Sequence, residues 1–350
     1  MTVPLFTLKR FNLYKKGFND TMAVYEPQNY GSQLLLMLGS MLCWGSWAST
    51  LKLTPGWAFQ LFYWDYVLGV LAGSMAWGFA LGGGIAGFPS SLIASDMRHV
   101  LYAVAAGIVF NLANQLLVAA IDIAGLAVAF PVGIGIALIL GVALSYAIAP
   151  IGNSLLIFGG VAFVLIAIVF DAFAYRRRDA AMGRLTATGL ILSVASGLLM
   201  GLFYPVLTRA CEGPRAFTPY AAIVYFAGGV ALCAIPVNYG MMRRPFTGGA
   251  PLELSGYAQE KIGWHAAGML GGAVWCSGAV FNVVASRGVF VGPAISYAVG
   301  QGATMITAVW GVFVWKEFKG SPRAVNALLT LMFLTFLIGL TLIALAPTVH

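Results

Sequence analysis

Residues 125–150 read GLAVAFPVGIGIALILGVALSYAIAP, an apolar run without a single charged side chain and punctuated by Pro131, Gly133, Gly135 and Gly141. It exceeds the roughly 20 residues that carry a helix across a bilayer. Near the C-terminus, residues 292–312, GPAISYAVGQGATMITAVWGV, repeat its pattern: Ala127 falls over Ala294, Phe130 over Tyr297, Val132 over Val299, Gly133 over Gly300 and Gly135 over Gly302. Glycine and proline at matching places in two apolar segments point to two related halves with a binding site between them.

The rest of the chain has the same character. Of 350 residues 60% are hydrophobic and 9% charged, where a soluble protein carries about a quarter charged residues. Ten apolar runs of membrane length are expected, at about 31–51, 58–83, 99–120, 124–148, 153–174, 186–208, 218–239, 263–286, 291–315 and 324–346. Further matches join the first five to the last five: Gly45 with Gly201, Ser40 with Ser196, Trp47 with Phe203, Tyr66 and Gly69 with Tyr225 and Gly228, and His99 with His265. Five spans per unit is an odd number, so the second copy enters the membrane in the opposite sense. The expected fold is all-α integral membrane, ten transmembrane helices as two inverted five-helix repeats. Its parts are an N-terminal tail (1–30), a first repeat (31–174), a basic linker (175–185) and a second repeat (186–350).

The net charge of +8 reads as membrane orientation, with no nucleic acid as partner, because basic residues gather on cytoplasmic loops. With both termini outside, the cytoplasmic segments hold Lys52, Arg176, Arg177, Arg178, Arg184, Arg243, Arg244, Lys261, Lys316, Lys319 and Arg323; Arg98, Arg209, Arg215 and Arg287 fall opposite, as do four basic residues of the tail. No small-residue cleavage site follows the first apolar run, so that run is expected to be retained; Met22 offers a second start. The cysteines Cys43, Cys211, Cys233 and Cys276 lack metal-ligand spacing and read as packing residues. There is no GxSxG, HExxH or P-loop, and thus no enzyme, cofactor or metal signature.

Polar residues inside apolar runs carry the functional expectations. Asp65, seven residues into the second run, is costly there unless partnered. Either it takes up and releases a coupling proton, or it is a boundary carboxylate solvated by headgroup water or tied to Lys52. Asn111, Asn114 and Gln115 share one helical face; they line a wet cavity or bond neighbouring helices. Asn282, Gln301 and Thr304 could supply the opposite wall. Trp44, Trp47, Tyr63, Trp64 and Tyr66 are an interfacial belt or a stacking platform for a flat heterocycle or sugar ring. Asp122 and Asp171 are expected at the interface, Glu317 paired with Lys316 and Lys319, and His99 and His265 solvated at helix starts.

The stretches LGSMLCWGSWASTLKL, FQLFYWDYVLGVLAGSMAWGFALG and AAGIVFNLANQLLVAAIDIAGLAVAFPVGIGIALILGVALSYAI resemble the ureide permease branch of the drug/metabolite transporter superfamily and the neighbouring bacterial glucose, ribose and rhamnose porters. The resemblance covers nearly all of the chain from Gly31 onward. It implies a ten-helix secondary carrier in a plasma membrane of the bacterial inner-membrane type, with a small-molecule substrate and protons as coupling ion; small-residue helix faces serve packing within a monomer as well as in a homodimer. The implied substrates are ureides and nucleobases, or sugars as in the related porters; the superfamily also contains exporters. Asp65 in YWDY matches a Tyr-x-Asp-Tyr pattern of ureide permeases, and Asn111 to Gln115 their polar third helix. The long central loop of the plant proteins is replaced here by YRRRDAAMGR.

Overall fold

The computed structural model describes residues 24–178, 186–245 and 250–349. Most of the N-terminal tail and of the basic linker therefore lies outside the described residues. The long helices are α1 (Tyr30–Leu53, tightening to a 3-10 helix from Trp47), α2 (Phe59–Leu81), α3 (Met97–Ala124), α4 (Leu126–Ile148) and α5 (Ser154–Arg178). They continue as α6 (Ala187–Arg209), α7 (Pro219–Arg243), α8 (Ile262–Ser286), α9 (Pro293–Val314) and α10 (Arg323–Leu345). Shorter helices, Gly84–Ile93 and Leu254–Ala258, sit in the connections. No named strand occurs among the described residues, only an isolated bridge between Val24 and Gly82.

Nine of the described helices are long and apolar enough to span a bilayer, so the chain is a multi-pass membrane protein. The helix α2, 23 residues long, falls outside the nine on apolar character, because Tyr63, Trp64, Asp65 and Tyr66 crowd its first half; it packs between α7 and α8. Local chemistry sets the helix starts. Asn29 and Ser32 form a reciprocal cap on α1, Thr186 and Thr218 cap α6 and α7, and Pro219 and Pro293 open α7 and α9 where no donor is needed.

The principal pairings are α1 with α8 and α6 with α3; α2 with α8 and α7 with α3; α4 with α6 and α9 with α1; α5 with α10; and α2 with α7. Exchanging each helix for the one five places along leaves this set unchanged. Glycines make the closest approaches. A Cβ on Gly272 would collide with the Tyr66 carbonyl, and one on Gly107 with the Phe226 carbonyl; Gly69 meets the Met269 carbonyl and Gly229 that of Val104. The counterparts of Tyr66 and Gly69 at these crossings are thus Phe226 and Gly229, one residue beyond the expected Tyr225 and Gly228. The helices α5 and α10 meet through Gly160 and Gly339, each against the other's carbonyl.

One end of the bundle is sealed. There the buried Gln33 amide donates to the Ala285 carbonyl (3.1 Å) and accepts from the Phe290 N–H (3.3 Å), while the Tyr30 hydroxyl donates to the Ala344 carbonyl. Deeper in, Tyr204 and Tyr297 stack with centroids 4.8 Å apart, and the Tyr297 hydroxyl donates to the Met200 carbonyl at 3.2 Å. Tyr297 occupies the space that the missing side chain of Gly141 leaves.

Candidate functional site

At the other end the bundle is open. A cavity of about 690 Å³ runs inward from the ends of α1, α3, α5 and α9. Its floor is aromatic: Trp44, Phe110, Phe203 and Trp275. Trp44 and Trp275 stack 6.1 Å apart, the Trp44 indole N–H donates to the Trp275 carbonyl at 3.2 Å, and Phe110 lies 4.2 Å from Trp275. Gly278 and Gly300 make this possible, since a Cβ at either would strike the Trp44 ring. Trp47 lines the wall, tilted on Tyr66 at 5.0 Å.

Three polar side chains expected from the sequence, Asn114, Gln301 and Thr304, reach this cavity. Gln301 lies where α9 is interrupted around Gly300 and Gly302, so the break that shapes the backbone also turns an amide toward the chamber. The charged lining residues, Lys52, Asp122, Arg178 and Glu317, all sit on helix ends or connections at the mouth. Glu317 ties α1 to α5 by accepting from Lys52 (3.0 Å) and Arg178 (3.0 Å), and the Tyr175 hydroxyl donates to it at 3.3 Å. Burial pushes the Glu317 carboxyl up, but these two cations outweigh it and hold it below its ordinary value. The expected pairing with Lys316 and Lys319 is therefore corrected: Lys316 takes a left-handed turn that carries the chain past them.

Other expected lining residues bond inside the protein. Asn111 accepts from the Tyr63 hydroxyl at 2.9 Å, and that same oxygen accepts from Asn114 at 3.2 Å. Gln115 donates to Asn238 at 3.4 Å. Asn282 donates to Ser40 (3.0 Å) and to the Ser296 carbonyl (2.9 Å), which fastens α8 to α1 and α9. None of Asn111, Gln115 and Asn282 lines the cavity; each bonds a facing helix, and Asn111 Nδ2 and Gln115 Oε1 stay buried without a partner among the described residues. Asp171 is half-buried on α5, and its Oδ1 has no hydrogen-bond partner among the described residues.

Asp65 also stands outside the lining, 2% exposed. Neither headgroup water nor Lys52 holds it. The Tyr257 hydroxyl donates to Oδ1 at 2.7 Å, and Nδ1 of His265 lies 2.7 Å from Oδ2. Burial first, then the Asp65 carboxylate, pushes the Tyr257 hydroxyl up to about 12, so it remains a donor at neutral pH. His99 departs from the solvated expectation, 1% exposed and contacting the Pro214 carbonyl at 3.3 Å; His265 stays partly exposed while it serves Asp65. Among the described residues no three metal-ligating side chains cluster.

Reading the sequence missed Trp57, Phe110, Phe203, Trp275 and the Asp65–His265–Tyr257 group. Trp275, an indole in the middle of a 25-residue apolar helix far from either interface, was the available signal.

No family model matches the chain. It is 22% identical to Ureide permease 1 of Arabidopsis thaliana over an alignment covering 91% of this chain and 98% of that protein. A solved crystal structure superposes with a TM-score of 0.60 at 18% identity, covering 88% of this chain and 96% of its own. That likeness shows a shared fold.

Proposed function

We propose that the chain is a secondary transporter of a small uncharged nitrogenous compound, a ureide or nucleobase, working by alternating access with proton coupling at Asp65. One observation carries this reading: a chamber that ends in the middle of the bundle, open at one end and closed at the other by packed side chains. The aromatic floor offers flat faces for stacking, and Asn114, Gln301 and Thr304 offer both donors and acceptors, which suits a ring or ureido group rich in N–H and C=O. Charge is confined to the mouth, so an ionised substrate would reach the floor without a counter-charge. The similarity to Ureide permease 1 points the same way.

In this reading the bundle has ten spans in two inverted five-helix units, α1–α5 and α6–α10. The exchange-invariant pairings and the matched glycine crossings support it. The excess of basic residues beside the mouth supports a cytoplasmic opening, both termini outside and an inward-facing state. Trp44, Trp47, Asn114, Gln301 and Thr304 would then contact substrate.

The test is a thermal-shift panel of ureides, nucleobases and monosaccharides on purified protein, followed by counterflow in liposomes for any hit. Gln301→Ala and Asn114→Ala should each weaken binding of that hit by about 1–2 kcal/mol, roughly 5- to 30-fold, the worth of a hydrogen bond in a desolvated site. A wild-type protein that binds and exchanges none of the three classes, or variants that bind as well as wild type, would overturn the assignment.

A further inference from the structure

Asp65 is held in a built pocket at the open end of the α2–α8 crossing. A Cβ on Gly268 would stand 2.6 Å from the Asp65 Cβ, so glycine at this place on α8, three residues after His265, leaves room for the carboxylate. Each carboxylate oxygen has one partner: Tyr257 from the helix Leu254–Ala258 and His265 from α8. Nearby charges are engaged elsewhere, Lys52 with Glu317 and Lys261 over the Trp264 ring. On α2 itself, the Tyr63 hydroxyl bonds Asn111, and Tyr66 stacks on Tyr63 at 5.1 Å. Among the described residues no lysine or arginine neutralises Asp65.

The Asp65 side chain is 3% exposed and that of His265 18%. Nε2 of His265 bonds no described residue and so is open to water, whereas Tyr257, also half-buried, spends its hydroxyl on Asp65. Trp57 links it to the chamber: its indole meets the His265 ring edge-on at 5.3 Å and stacks on Tyr257 at 6.2 Å, and its other side forms part of the cavity mouth.

We propose that His265 is the proton-exchanging member of the coupling site, and that Tyr257 positions Asp65 for it. With a neutral imidazole, Nδ1–H donates to Oδ2 and the pair carries one negative charge. Binding of one proton from water at Nε2 makes an imidazolium against the carboxylate, and the pair becomes neutral; release at Nε2 restores the charge. In a low-dielectric setting the two charge states differ strongly in their cost of burial. Proton occupancy therefore decides whether the α2–α8 junction can close over, with Trp57 relaying the change to the mouth. The inference rests on the proton-coupled reading above, but its test does not need the substrate.

Protein in liposomes on a solid-supported membrane is subjected to substrate-free jumps from pH 8.5 to pH 6, and the displaced charge is recorded. Wild type should give a transient current. His265→Gln should abolish it, and Asp65→Asn, which leaves the imidazole without its counter-charge, should reduce it about tenfold. Tyr257→Phe should keep the current but move its midpoint pH. An unchanged current in a folded His265→Gln protein overturns the proposal. If that variant does not fold, ¹⁵N imidazole spectra of wild type, whose chain holds three histidines, decide it: a non-titrating His265 refutes the role. A wild type with no current, whose uphill flux ignores a pH gradient while counterflow persists, removes proton coupling itself.

Discussion

Replacing Gly160 by alanine tests the packing of α5 on α10 with a control one residue away. A Cβ at Gly160 would stand 2.6 Å from the Gly339 carbonyl oxygen, and one at Gly339 would stand 2.7 Å from the Gly160 oxygen; at Gly159 nothing lies within 4 Å. Ordinary contact begins at 3.4 Å, so either alanine must push the helix backbones apart by about 0.7–0.8 Å. Backbone cannot swing aside as a long side chain does, and overpacking of this kind costs about 1–3 kcal/mol. Alanine also gains about 0.8–1 kcal/mol of helix propensity over glycine, but that gain is common to Gly159→Ala and Gly160→Ala and cancels between them. The expected order is therefore Gly159→Ala at or slightly above wild type, with Gly160→Ala and Gly339→Ala each about 1–3 kcal/mol below it. The double variant should lose less than the sum, because helices spread for one methyl have already made room for the other. Unfolding in mixed micelles, followed by circular dichroism, measures wild type and all four variants. A Gly160→Ala variant within about 0.5 kcal/mol of Gly159→Ala, the usual scatter of neutral changes, would refute the close crossing.

Two further expectations concern the ends of the bundle. Glu317 has its carboxyl held below the ordinary value of 4.5, and a carboxyl depressed by folding adds stability that is present above its unfolded value and lost as pH falls through the folded one. The difference in melting temperature between wild type and Glu317→Gln should thus stay constant from pH 8 to pH 6 and close below about 4.5; a gap that opens in acid contradicts the clamp. At the sealed end, Gln33→Ala removes the bonds to Ala285 and Phe290 and should favour opening there. A cysteine replacing the fully buried Ile295, in a background without native cysteines, should then label severalfold faster with an impermeant maleimide applied to that face. Labelling at the rate of the Gln33 parent argues against the latch.

Much of the architecture was legible because crossing a bilayer is a one-dimensional demand on length and polarity. The runs around Pro131 and Pro293 announced their helices, and the expected repeat is in keeping with the exchange-invariant helix pairings. Its register slipped by one between Tyr66 and Phe226, since tyrosine invites alignment with Tyr225 whereas the structural constraint is the backbone contact at Gly229. The shared face of Asn111, Asn114 and Gln115 was real, but α3 packs against α6 and α7 at once, and helical spacing cannot say which amide meets a neighbour and which meets space. Asn114 reaches the chamber while the others bond Tyr63 and Asn238. The partner of Asp65 was harder still: His265 lies 200 residues away, and nothing local in either segment marks the other.

The one-ended chamber has a pharmacological corollary. Its blind floor of Trp44, Phe110 and Trp275 stops short of the stacked Tyr204 and Tyr297, so on the transport reading proposed above a molecule too bulky to move beyond that floor would lodge there as a plug. Blockers of this design would act when delivered to the leaflet bearing Lys52 and Glu317 and be inert from the opposite leaflet, so sidedness of inhibition becomes a direct report on which way the protein sits in its membrane.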